Sequence, residues 1–121
     1  MASSESRILY ATEFIRRNLA QRVTLGEVAA LLGISRFTVS RSFKTVMRVT
    51  FRQYLLQRRI EWACDLLKGH DRSITDIALI VGFGDLPRFD KVFKGQTGLS
   101  PSAYRKKLLA NAISPGAKKA M

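Results

Sequence analysis

The feature that most constrains this chain is that it repeats itself. Thr24, Glu27, Ala29 and Gly33 are matched 49 positions later by Ser73, Asp76, Ala78 and Gly82. Phe43, Lys44, Val49, Thr50 and Tyr54 are matched 50 positions later by Phe93, Lys94, Leu99, Ser100 and Tyr104. One residue is therefore inserted in the second copy, between Gly82 and Phe93. The pairs include helix-cap residues as well as apolar ones, so coincidence within a generic helical bundle is a poor account of them. Each copy reads as a short helix, a tight turn and a second helix.

Apolar residues recur at helical period through almost the whole chain, and strand patterns are nearly absent. Ile8, Thr12, Ile15 and Leu19 form a stripe over residues 7–20. Leu25, Val28, Ala29 and Leu32 form the next, behind a Thr24-x-x-Glu27 capping box and ahead of Gly33. Such a box satisfies backbone N–H groups that a helix start leaves without partners, and a glycine after the last turn suits left-handed backbone. Ser35 caps a helix over 35–47 that buries Val39 and Phe43. Thr50 caps a long one over 51–68. In the second copy Ser73-x-x-Asp76 reads as another capping box, followed by Ile74, Ile77, Ala78 and Val81, and then Gly82. Asp85 caps residues 86–97, buried through Phe89, Val92 and Phe93, with Gly98 as the stop. Ser100 caps a last helix with Pro101 at its first position, where the missing N–H costs nothing. The Pro-, Gly- and Lys-rich stretch 111–121 reads as a disordered tail.

The charge balance narrows the function. Lys and Arg number 21 against 9 Asp and Glu, a net +12. That excess points to a polyanion, nucleic acid before a membrane surface. No apolar run approaches the ~20 residues of a membrane span. MASSESR lacks the apolar core of a secretory signal. One Cys and one His exclude a disulfide framework and a zinc finger. His70, in the turn-like Gly69-His70-Asp71, has no nucleophile motif beside it, and Gly82-Phe83-Gly84 is a lone G-x-G without a strand. No catalytic, cofactor or metal motif is present, so the reading is a reduced, cytoplasmic binding protein rather than an enzyme.

The helix over 35–47 turns Phe37, Ser40, Arg41 and Lys44 away from its core face. This is the spacing of a buried stripe, occupied by polar and basic groups with a Phe among them. A major-groove reader fits: Arg41 can bridge guanine O6 and N7 while Phe37 packs on a thymine methyl. Arg36 and Lys44 flank the face and suit phosphates, which position without specifying. The competing reading returns Phe37 to the core. The same register on 86–97 presents Pro87, Asp90, Lys91 and Lys94, with Arg88 at the margin. Asp90 either pairs with Lys94 one turn on or faces DNA. Cys64 reads as a small core residue and Trp62 as a partly buried packing residue. Lys106-Lys107 and Lys118-Lys119 read as solvated charge.

Val81-Gly82-Phe83, Phe89, Val92-Phe93-Lys94, Gly98-Leu99-Ser100-Pro101 and Tyr104-Arg105 together resemble the signature of the AraC/XylS transcription regulators. Phe51-x-x-Tyr54-Leu55, Arg59-Ile60, Ala63 and Leu66-Leu67 resemble that family's linker helix. The resemblance covers roughly residues 7–108. It implies an all-α DNA-binding unit of seven helices, with helix-turn-helix lobes at about 24–47 and 73–97 joined by a rigid linker helix at about 51–68. It places base-contacting positions on Phe37, Ser40 and Arg41, and on Leu86, Pro87, Arg88 and Lys91. The chain departs from the family at Met47-Arg48, where Thr-Gly is common, and at Leu86, Pro87 and Asp90, where polar residues are frequent. The resemblance also implies bacterial transcription control, often activation through RNA polymerase, either by a stand-alone unit or by the C-terminal part of a longer regulator.

The leading expectation is a sequence-specific duplex-DNA regulator. Two lobes on one chain place two readers about one helical turn, ~34 Å, apart, so a monomer suffices for one site. The alternatives are a non-specific architectural DNA binder, for which the charge alone would do, and a module that docks polymerase without reading DNA. A methyl-accepting role for Cys64 is disfavoured by its apolar setting, because a reactive thiolate needs an accessible, electropositive site.

Overall fold

The computed structural model describes residues 3–69 and 71–113. Those residues form seven helices and no strand: α1 (Ser4–Arg17), α2 (Leu25–Leu32), α3 (Arg36–Met47), α4 (Phe51–Leu67), α5 (Ile74–Ile80), α6 (Leu86–Thr97) and α7 (Pro101–Ile113). The chain divides into two compact units between Arg59 and Ile60, a boundary that falls inside α4.

Caps explain most helix starts. Thr24 and Glu27 exchange both bonds of the capping box, at 3.1 Å into Thr24 Oγ1 and 3.0 Å into Glu27 Oε1. Thr50 and Gln53 make the same reciprocal pair at the head of α4. At α5 only half the expected box forms: Ser73 accepts from the Asp76 N–H at 3.0 Å, and Asp76 makes no bond back. Its carboxylate is one methylene shorter than that of Glu27, which does reach. Ser35, Asp85 and Ser100 cap α3, α6 and α7 through their side-chain oxygens.

In the first unit, α3 packs on both α1 and α2. The core is Ile8, Ala11, Ile15, Val23, Val28, Ala29, Val39, Phe43 and Leu55. Ala11 is buried where Thr12 was expected; Thr12 is half-buried and its hydroxyl donates to the Leu9 carbonyl at 2.7 Å. Phe43 meets Phe51 and Tyr54 edge-on, with ring centres 5.8 and 5.4 Å apart. Arg59, buried to 6% exposure, donates to the carbonyls of Leu19 and Gln21 at 3.0 and 2.8 Å. It thereby ties down the loop ahead of α2.

In the second unit, α6 packs on α5 and α7. Ile60, Ala63, Leu67, Ile77, Ala78, Val81, Phe83, Phe89 and Phe93 are buried. Val92 is only half-buried, because Phe89 and Phe93 fill the inward face of α6. Edge-on and tilted ring contacts run from Phe83 through Phe89 and Phe93 to Tyr104, each with centres 5.3–5.6 Å apart. Arg105 donates to the carbonyls of Leu67 and Arg72 at 3.3 and 2.7 Å. Cys64 is half-buried, and burial pushes its thiol up. α7 runs on through Asn111 to Ile113, so the expected tail does not begin at 111. His70 and the remainder of that tail, Lys118-Lys119 included, lie outside the described residues.

The helix stops differ between the copies. Gly33 ends α2 in left-handed backbone at φ +69°, whereas α5 ends on Val81 at φ −84° and Gly82 takes φ +96° one residue later. The α3 stop is Arg48 at φ +67°, where the second copy has Gly98 at φ +85°.

Candidate nucleic-acid interface

α3 stands with one face sealed and the other open. Val39 and Phe43 are fully buried, which fixes its rotation about its own axis. Arg36, Phe37, Ser40, Arg41 and Lys44 are all exposed as a result, and Phe37 reaches 68% exposure. The core alternative for Phe37 is therefore excluded. The Arg41 guanidinium carbon lies 5.3 Å from the centre of the Phe37 ring, one turn away. A cation held over an aromatic face is restrained without losing its edge donors. Arg41, Thr38, Ser42 and Thr45 line an open groove together with Ser4 of α1.

α6 is built alike but decorated differently. Asp85 accepts from the Arg88 N–H at 2.8 Å, and Pro87 occupies the first turn, where proline is allowed. Pro87, Lys91 and Lys94 are exposed, while Leu86, Arg88 and Asp90 are half-buried. The Arg88 guanidinium carbon sits 5.4 Å from the centre of the buried Phe83 ring, so this arginine lies over its own core. Among the described residues no ion pair joins Asp90 to Lys94. Asp90 is thus a carboxylate on the outward half of the helix without a cationic partner there.

The electrostatics follow the same asymmetry. Through Arg59 the chain carries eleven basic residues against three acidic ones; from Ile60 onward it carries ten against six. Residues 28–60 contain no acid at all and seven bases: Arg36, Arg41, Lys44, Arg48, Arg52, Arg58 and Arg59. Face-by-face reading of α3 overlooked Arg48 and Arg52, both exposed, because they lie beyond that helix. The acid-free tract is the signal that finds them.

Residues 28–107, from α2 into α7, match the family model described as a helix-turn-helix domain. The regulatory protein SoxS of Salmonella typhimurium is 33% identical over 96 residues, covering 79% of this chain and 90% of that protein. The chain belongs to the AraC-type helix-turn-helix family. An AraC-type DNA-binding regulator from Chromobacterium violaceum has the same fold, with a TM-score of 0.80 at 25% identity over 87% of this chain and 94% of that one. The DNA-binding domain of AdpA, solved with a target DNA, superposes at a TM-score of 0.80 and 27% identity, over 89% of this chain and 96% of that one. Against the first operon regulators it matches, the AraC-type chain spans 31% of their length. No helix among the described residues is long and apolar enough to cross a membrane.

Proposed function

We propose that this AraC-type domain is a sequence-specific activator of transcription that reads duplex DNA chiefly through α3. The observation that carries this reading is the outward face of α3, with Phe37 held out into solvent beneath Arg41. A merely solvated helix gains nothing by exposing a phenyl ring at the centre of a basic face. In a major groove the same pair is complementary to a thymine methyl beside a guanine. Ser40 adds a hydroxyl to the reading face, and Arg36 and Lys44 reach phosphates on its flanks. α6 enters a second, successive groove segment and contributes mainly backbone contacts, through Lys91 and Lys94 with Arg88 at the margin. Leu86 and Pro87 offer no side-chain hydrogen bonds there, and Asp90 opposes phosphate.

The proposed unit spans residues 7–108 and works as a monomer on one asymmetric site, in the cytoplasm, without a cofactor or a catalytic step. RNA polymerase is its proposed protein partner, in keeping with the relatives named as regulators. Selection of bound sequences from random duplexes at fixed salt, with native mass of the complex, tests this. Two unequal boxes and a 1:1 complex are expected. Binding to scrambled duplex within about tenfold of the best site would instead make the domain an architectural binder, since specific regulators discriminate by ~10³ or more. A 2:1 complex on the minimal site would overturn the monomer reading.

A further inference from the structure

The corner between α3 and α4 holds a residue where glycine would be easier. Arg48 is the one non-glycine at positive φ among the described residues. Left-handed backbone is unfavourable for any residue with a Cβ. Its counterpart fifty positions on, Gly98, performs the same cap. Each N–H bonds to the carbonyl of a lysine four residues back, Lys44 at 2.9 Å and Lys94 at 2.8 Å. A Cβ on Gly98 would meet nothing within 4 Å, so the second corner has room for a side chain and carries none. The Arg48 side chain is exposed, and it pairs with no acid among the described residues.

Lys44, Arg48 and Arg52 follow one another at four-residue spacing, and all three are exposed. The matching positions in the second copy are Lys94, Gly98 and Ser102, one charge in place of three. The length of α3 indicates what the extra charges face. Its 12 residues extend about 18 Å at 1.5 Å per residue, against a major groove about 12 Å wide. A helix laid across that groove with Phe37, Ser40 and Arg41 on the bases overshoots it. Arg36 then meets one phosphate wall and the residues past Met47 meet the other.

We propose that Arg48, seconded by Arg52, grips a backbone phosphate of duplex DNA, so that the α3–α4 corner is a second contact surface of the first unit. This rests on the DNA-reading role of α3 proposed above, and the test separates the two. Duplex affinity is measured over a salt series for the full chain and for Arg48→Gly, Arg48→Lys and Arg52→Gln, with thermal melting alongside. Arg48→Gly is expected to melt higher, because the left-handed strain is gone, yet to bind every duplex several-fold more weakly. Its log–log salt slope should be shallower by about one. Arg48→Lys should keep the slope, and Arg52→Gln should lower it. An unchanged affinity and slope in Arg48→Gly, with the parent chain binding normally, would overturn the phosphate grip and leave the reading helix standing. A loss of affinity that only tracks a lower melting temperature would make Arg48 structural and overturn it too. Absence of salt-dependent duplex binding by the parent chain would overturn the reading of α3, and the grip with it.

Discussion

Arg59 and Arg105 do the same work in different halves of the chain. Each comes from the last helix segment of its unit and donates to two carbonyls ahead of that unit's helix-turn-helix, those of Leu19 and Gln21 for Arg59 and, for Arg105, those of Leu67 at the end of α4 and Arg72 in the loop after it. They are not repeat partners: Arg59 lies five residues past Tyr54, and Arg105 directly follows Tyr104. The same solution therefore arises from two positions.

Arg59 is the more buried of the two. Hydrogen bonds from a charged donor are worth about 1.5–3 kcal/mol each, and carbonyls left near the core lose compensation. Arg59→Met should cost about 2–4 kcal/mol in urea unfolding, and Arg105→Met less, because water reaches its loop more readily. Equal and small losses for both would mean that the loops hold themselves.

Phe37 tests whether the reading face contributes to stability. At 68% exposure its truncation to Ala should leave unfolding free energy within about 0.5 kcal/mol, as for surface substitutions generally. Affinity for the preferred site should fall, and replacing the contacted thymine by uracil should remove the difference between variant and parent. A destabilisation of several kcal/mol would return Phe37 to the core.

Arg41 and Lys44 should separate by kind of loss. Arg41→Ala is expected to cost about 1–3 kcal/mol and to relax preference at one base pair. Lys44→Ala should weaken all duplexes alike and lower the salt slope by about one. Uniform loss in both would reduce Arg41 to a phosphate clamp.

Asp90 decides the ranking of the two units. With no cationic partner among the described residues, it repels phosphate, so Asp90→Ser should raise affinity for every duplex by about 0.5 kcal/mol, a typical surface-charge effect. Preference should not change. A loss confined to sites with a cytosine in the second box would show that Asp90 accepts from cytosine N4, and α6 would then be a reader.

Much of this was legible in the residues because caps and core spacing are local. Thr24 with Glu27, Ser35, Asp85 and Ser100 mark their helix starts by short-range hydrogen bonding alone, and the reading face of α3 follows once Val39 and Phe43 are turned inward. What was not legible depends on reach or on distant partners. Asp76 looks like Glu27 until one methylene of length matters. Thr12 fits the apolar stripe of α1 until its hydroxyl finds the Leu9 carbonyl. Arg88 looks like a free base contact until the Phe83 ring lies beneath it. The burial of Arg59 depends on a loop forty residues earlier in the chain, which no local pattern announces.

The boundary inside α4 has a consequence for recombining such proteins. Residues up to Arg59 serve one core and residues from Ile60 serve the other, so no loop separates the halves. A chimera cut between α4 and α5 would strip the second unit of the buried Ile60, Ala63 and Leu67 while leaving those side chains as an orphaned apolar stripe on the first parent. A crossover placed at the Arg59–Ile60 bond keeps each compact unit whole. The unit of exchange is a helix-turn-helix together with its share of α4, not the helix-turn-helix alone.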